Sequence, residues 1–143
     1  MKISQISIFL ENKKGRLLEV CDILGKAKIN ILALTIADTK DFGVLRILVD
    51  KPADAIEVLK NNKFTADLTD IIAVELENKP GKLAHILEVL EKNNINLEYM
   101  YGFNENNSEK ALMVFRFEDT DKAIKVLKSN KIKIVSGLEI TSI

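Results

Sequence analysis

The chain uses one stretch twice. Residues 11–31 begin Glu11-Asn12-Lys13-Lys14-Gly15-Arg16-Leu17 and end Ile29-Asn30-Ile31; 66 residues later Glu77-Asn78-Lys79-Pro80-Gly81-Lys82-Leu83 runs on to Ile95-Asn96-Leu97. Nine of the 21 aligned positions are identical, among them Asn12/Asn78, Gly15/Gly81, Leu17/Leu83 and Ile29-Asn30/Ile95-Asn96. A second block recurs at an offset of 68, where Ala55–Lys63 and Ala123–Lys131 agree at seven of nine positions. Such a period dictates architecture before any local reading. It divides the 143 residues into two modules, 1–69 and 70–143, with almost no linker at Thr69-Asp70. Modules of about 70 residues bury limited cores, so each is expected to lean on the other or on another subunit.

Within the first module Ile6, Ile8 and Leu10 alternate along a strand that ends at the Asn12–Gly15 turn. Leu17, Val20, Cys21 and Leu24 then recur at helical spacing. Ile29–Ala37 and Gly43–Val49 read as a hairpin around Asp38-Thr39-Lys40-Asp41. Pro52 suits a first helical turn, Ala55, Ile56 and Leu59 supply a helix face, and Phe64–Leu68 returns as a strand. The second module repeats the order. Ile72, Val74 and Leu76 alternate, Pro80 opens a helix carrying Leu83, Ile86, Leu87 and Leu90, and Ile95–Phe103 pairs with Ala111–Phe117 around Asn104–Ser108. Asp119–Asn130 is the second helix, and Ile132–Val135 begins a last strand that Leu138–Ile143 can extend. The two extra residues of the second copy are assigned to the hairpin tip, where loops absorb insertions.

The order βαββαβ, taken twice, is a split βαβ pattern. It predicts an α+β protein of two tandem ferredoxin-like domains, each an antiparallel four-stranded sheet with two helices on one face. Composition narrows the function. Lys+Arg and Asp+Glu both total 21, so there is no electrostatic footprint for nucleic acid or a membrane surface. One cysteine cannot form an intrachain disulfide, and no signal peptide or apolar run of membrane-spanning length is read. A soluble cytoplasmic protein is expected.

Asn78-Lys79-Pro80-Gly81-Lys82-Leu83, followed by Ile95-Asn96-Leu97, resembles the Asp/Asn-x-Pro-Gly-x-Leu turn and hydrophobic-Asn strand start of the ACT family, specifically stand-alone proteins of two tandem ACT domains. The first copy keeps these elements, with Lys14 where the family usually has Pro. The resemblance covers essentially the whole chain. It implies a non-catalytic regulator that binds a free amino acid, needs no cofactor or metal, and passes its signal to a partner protein or enzyme. It also implies where the effector sits, between the strand–helix turn of one domain and the second strand of a neighbour. The turns would contribute Asn12, Gly15, Arg16 and Leu17 in one copy and Asn78, Gly81, Lys82 and Leu83 in the other. Asn30-Ile31 and Asn96-Leu97 would form the second wall.

The turn chemistry agrees with that reading on its own terms. Gly15 and Gly81 can adopt angles closed to other residues and let a ligand approach the main chain. The first amides of the following helix lack intrahelical partners and sit at the positive end of its dipole, a setting for a carboxylate. Asparagine offers both donors and acceptors, so it can hold an ammonium or a carboxylate. Plainer roles stand beside these. Asn12 and Asn78 can cap the turn, and Asn30 and Asn96 can end the preceding helix. Cys21 reads as a buried structural thiol, His85 as a surface residue, and Tyr99, Tyr101 and Phe103 as packing.

A ferredoxin-like enzyme of acylphosphatase type is the alternative. It would need an Arg to clamp a tetrahedral anion, and Arg16 is in the right loop, but the second copy offers only Lys82. Triad and P-loop patterns are missing from the sequence. RNA binding would want stacking aromatics on the central strands, which Val44–Val49 does not supply, and a metal chaperone would want more than Cys21. Finally, Leu32, Leu34, Ile36, Val44 and Leu48 are expected to form one apolar sheet face that the helices leave bare. Such a patch marks an interaction surface; it is expected to be buried either by the second domain, through Tyr99, Tyr101 and Phe103, or by another subunit, with a homodimer as the favoured assembly.

Overall fold

The computed structural model describes residues 1–39, 41–104 and 109–137. Its elements run β1 (Ile3–Glu11), α1 (Arg16–Lys26), β2 (Ile31–Asp38), β3 (Phe42–Val49), α2 (Pro52–Asn61), β4 (Thr65–Glu77), α3 (Lys82–Lys92), β5 (Leu97–Asn104), β6 (Lys110–Phe117), α4 (Thr120–Ser129) and β7 (Lys133–Val135). The chain divides into two compact units, Ser4–Thr69 and Asp70–Ile143, with Met1–Ile3 grouped with the second. β4 runs through the boundary.

In the first unit the strand order is β2-β3-β1-β4, and in the second β5-β6-β4-β7. β3 pairs antiparallel with both β1 and β2. β6 stands likewise between β4 and β5, and β4 takes β7 on its other side. Two helices cover one face of each sheet, as their shared cores show. Val20 and Leu24 of α1 and Ala55 and Leu59 of α2 pack with Ile6, Ile8, Leu45 and Ile47. Ile86 and Leu90 of α3 and Ala123 and Leu127 of α4 pack with Ile72, Val74, Phe115 and Phe117. This is the expected α+β, ferredoxin-like architecture. The connection between the hairpin strands lengthens from residues 39–41 to residues 105–109, which places the two-residue insertion. Lys40, residues 105–108 of the hairpin tip and the extension at Leu138–Ile143 lie outside the described residues.

Among the described residues, α1, α2, α3 and α4 stop in the same way. Lys28, Lys63, Asn94 and Lys131 take left-handed angles (φ 58, 65, 55 and 58) just beyond the helix. The next amide, that of Ile29, Phe64, Ile95 or Ile132, then donates back to Leu24, Leu59, Leu90 or Leu127 at 2.9–3.0 Å. That bond and the apolar residue that makes it are the features of a Schellman ending. Only one of the four left-handed residues is an asparagine, and the lysines bear a conformational cost that glycine would avoid.

Four expectations are corrected. α3 begins at Lys82 with Gly81 as its N-cap, so Pro80 belongs to the turn and does not open the helix. On α1 Leu17 is 40 % exposed and Cys21 only half-buried, because Val20 and Leu24 alone point squarely at the sheet. On α3 Leu87 is exposed while Val89, unassigned from the pattern, is buried. The largest correction concerns β2. Its register slips between Ile31 and Ala33, after which Leu34 opposes Ile47 and Ile36 opposes Leu45. A bulge sets two residues against one and reverses the faces beyond it. Leu34 and Ile36 therefore share the helix-bearing face, and Ala33, Thr35 and Ala37 share the other with Leu48, Arg46 and Val44. The bare apolar face as expected does not form, and Leu48 is buried. Leu34 and Ile36 nevertheless remain exposed, at 50 % and 37 %, because they stand on the edge strand.

Candidate functional site

The two turns are built alike. Gly15 and Gly81 are N-caps in the left-handed region, with φ 89 and 86, and no side chain caps either helix. A Cβ added to either glycine would meet open space, so only the backbone angle demands glycine. The hydrogen bonds match one for one. Asn12 N donates to Asp41 O at 2.9 Å and Asn78 N to Glu109 O at 2.8 Å; Glu19 N donates to Gly15 O and His85 N to Gly81 O. The absence of a capping side chain on either helix leaves the first-turn amides beyond Arg16 and Lys82 available to solvent or a ligand.

Side chains distinguish the two. In the first unit a cavity of about 190 Å³ lies before the turn, lined by Leu10, Glu11, Asn12, Lys13, Arg16, Leu17, Ile36 and Gly43. Glu11 pairs with Lys13 at 2.8 Å and Arg16 with Glu19 at 2.8 Å. The Lys13 hydrogen bond, with the charges of Lys13 and Arg16, holds the Glu11 carboxyl below its ordinary range. The Arg16 guanidinium also lies 4.5 Å over the centre of the Phe64 ring, a cation–π contact.

In the second unit Lys82 and Ile132 stand where Arg16 and Phe64 stand in the first. A cleft of about 290 Å³ opens there, behind the turn, between α3, the end of β4 and the α4–β7 connection. In front of the turn the space differs too. Gly102 takes the place of Ile36, and Met113 Sδ lies 2.6 Å from where a Cβ of Gly102 would be, so methionine occupies that position. Glu77 is shared by Lys79 at 3.3 Å and Lys82 at 4.0 Å. A hydrogen bond from Lys79, then the charges of Lys82 and Lys79, lower its carboxyl.

Of the residues expected from sequence, the structure brings Asn12, Arg16 and Leu17 to one cavity. Asn30 and Ile31 are elsewhere. Ile31 opposes Val49, whereas the turn lies beside Gly43 at the other end of β3. Five residues along a strand, from Ile31 to Ile36, span about 17 Å. Asn96 and Leu97 are placed the same way, with Leu97 opposite Phe117. Both asparagines tie a strand start to the neighbouring strand end. Asn30 N donates to Asp50 Oδ1 at 2.9 Å and Asn96 Nδ2 to Glu118 Oε2 at 3.1 Å, and their carbonyls accept from Asp50 N and Glu118 N. Within one unit, therefore, the two expected walls do not meet.

Leu10, Ile36 and Gly43 line the first cavity without having been singled out. Leu10 could have been, since it is the last core residue before the turn; Ile36 required knowledge of the bulge. His85 is exposed, as expected, and borders the second cleft. Among the described residues no group of three or more His, Cys, Asp or Glu could hold a metal ion, and no helix is long and apolar enough to cross a membrane.

Comparison with known proteins places this geometry in context. The ACT domain pair model matches residues 1–143. The solved structure of protein BT0572 from Bacteroides thetaiotaomicron is 41% identical, covers 100% of this chain and 98% of its own, and superposes with a TM-score of 0.94. The ligand-free regulatory subunit of aspartate kinase from Thermus thermophilus is 17% identical over 88% of this chain and 91% of its own, with a TM-score of 0.65. The corresponding subunit from Thermus flavus is also 17% identical, over 88% and 90%, at 0.60. These two share the fold. No curated protein sequence matches the chain.

Proposed function

The chain belongs to the ACT domain pair family, and from that premise we propose that it is a non-catalytic cytoplasmic sensor which binds a free amino acid and regulates a partner enzyme. Its two sensor domains are residues 1–69 and 70–143. The observation that carries this reading is the cavity at the first turn, where Asn12 and the uncapped start of α1 face Leu10, Leu17 and Ile36. Backbone donors at the positive end of a helix suit a carboxylate, and three aliphatic side chains suit the rest of a small amino acid. Family membership supports a small-molecule regulatory role.

The assembly proposed is a homodimer. Leu17, Ile36 and Leu34 are exposed around the mouth of the cavity and along β2. A second copy would cover them and bring its Asn30-Ile31 edge toward the turn, supplying the wall that one unit lacks. Acylphosphatase chemistry is the less supported reading. The Arg16 guanidinium is engaged by Glu19 and Phe64, whereas anion catalysis would need it turned toward a substrate.

A thermal-shift screen of the purified protein against the twenty amino acids tests the proposal. A ligand at one hundred times its dissociation constant should stabilise by about 2.7 kcal/mol. Calorimetry should show that binding is lost in Gly15→Val, and sedimentation should show a dimer. No shift with any amino acid would refute the sensor reading; a monomer would refute the assembly.

A further inference from the structure

The apolar side chains that flank the first cavity are disposed differently at the second turn. Leu17 and Ile36 stand off the first core, 40 % and 37 % exposed, and line the cavity of about 190 Å³. The second unit keeps the same leucine at position 83, but there it is partly buried and packs against the second core. Ile36 has no side-chain equivalent, because Gly102 stands in its place. Met113, at the position of Leu45, takes up the gap. Its Sδ lies 2.6 Å from where a Gly102 Cβ would be, and it too packs against the second core. The same turn backbone thus carries a slot between two projecting aliphatic side chains in one unit, and apolar residues that serve the core in the other.

What the slot accepts follows from which of its groups are already engaged. Glu11 is paired with Lys13 at 2.8 Å, and Arg16 with Glu19 at 2.8 Å and with the Phe64 ring. A charged ligand side chain would have to break one of these pairs, whereas an aliphatic one has only to meet Leu10, Leu17 and Ile36. Its burial is favourable in proportion to the apolar area removed from water, its own and that of the exposed Leu17 and Ile36. The volume is below the ~300 Å³ at which pockets for drug-sized ligands begin, which favours a short side chain over an aromatic one. The second turn keeps its uncapped helix start, yet with Gly102 and a core-packed Leu83 it has no matching slot to select one side chain over another.

On the premise of the amino-acid sensor proposed above, we infer that only the first turn takes the effector, one molecule per chain, and that the effector is an amino acid with a short aliphatic side chain, of the valine or leucine class. The duplication has kept the turn twice and the side-chain slot once. Leu17 and Ile36 are the specificity-determining residues, and the second unit has given up both, one to its core and one to glycine.

The test is calorimetric titration of the intact protein with leucine, valine, aspartate, lysine and tryptophan, joined to methyl chemical shifts. Leucine or valine should bind at one site per chain, and the other three at least tenfold more weakly. Methyl signals of Leu17 and Ile36 should move and saturate, while those of Leu83 and Met113 stay in place. Ile36→Ala, a change on an edge strand outside the buried core, should weaken binding about tenfold. Two sites per chain, saturating shifts at Leu83 and Met113, a charged or aromatic amino acid as the tightest ligand, or unchanged affinity in Ile36→Ala would each overturn this inference and leave the sensor reading standing. Binding of no amino acid at all would instead refute the sensor reading, and this inference with it.

Discussion

The two turns share a backbone and differ in what surrounds it. Both have a left-handed glycine, an uncapped helix start and the same bonds from the asparagine amide and the helix. Yet the first unit has its cavity in front of the turn, under Ile36, and the second has its cleft behind it, beside Lys82 and Ile132. The turn thus sets the position of the helix amides, while side chains brought in from β2 or β5 and from the strand after α2 or α4 decide which side of it is open.

The largest effect that would sharpen the comparison lies in the cores. Ile47 and Phe115 occupy equivalent, fully buried positions, and Phe115 stacks on Phe117 with centroids 5.6 Å apart. Phe115→Ala should cost about 4 kcal/mol and Ile47→Ala about 3 kcal/mol, measured by urea denaturation. Equal losses would mean that the aromatic pair adds nothing special to the second core.

Next in size is the exchange at β5. Gly102→Ile copies Ile36 and must displace Met113, an overpacking that should cost about 2 kcal/mol. Adding Met113→Leu, which copies Leu45, should restore most of the loss. If Gly102→Ile alone is neutral, the methionine does not hold that position.

The Arg16–Phe64 stack is a smaller term. Arg16→Lys should destabilise the protein by about 0.5–1 kcal/mol and enlarge the first unit's space behind the turn, as the crystal structure of the variant would show. An unchanged melting curve would remove the stack from the account of why that side is closed.

The smallest effect is in the carboxylates. Glu11 and Glu77 both titrate below the ordinary glutamate range. A lowered folded value means that their pairing stabilises the protein above the unfolded value and is lost as pH falls through the folded one. Carboxyl chemical shifts followed on acidification should return Glu11 most of the way to the ordinary range in Lys13→Met, where only the smaller influence of the Arg16 charge remains. In Lys79→Met, Glu77 should return only part of the way, because Lys82 remains. Identical responses would show that the second turn is no more cationic than the first.

The repeat, the alternation along β1 and β4 and the helical spacing of Val20, Leu24, Ile86 and Leu90 were legible in the sequence, because each is a local period that a single segment carries. So was the need for glycine at positions 15 and 81, where a strand must turn into a helix. The face on which Leu34 and Ile36 stand was not legible. A bulge exists only in relation to a partner strand, and one unpaired residue at Ile31–Ala33 reverses every side chain after it. Sequence also could not show that Arg16 would find Phe64 while Lys82 would turn to Glu77, since contacts between distant residues form only when β1, α1 and the α2–β4 connection fold together. The turn and its chemistry came from local sequence; which side of it opens came from the packing of parts that are far apart along the chain.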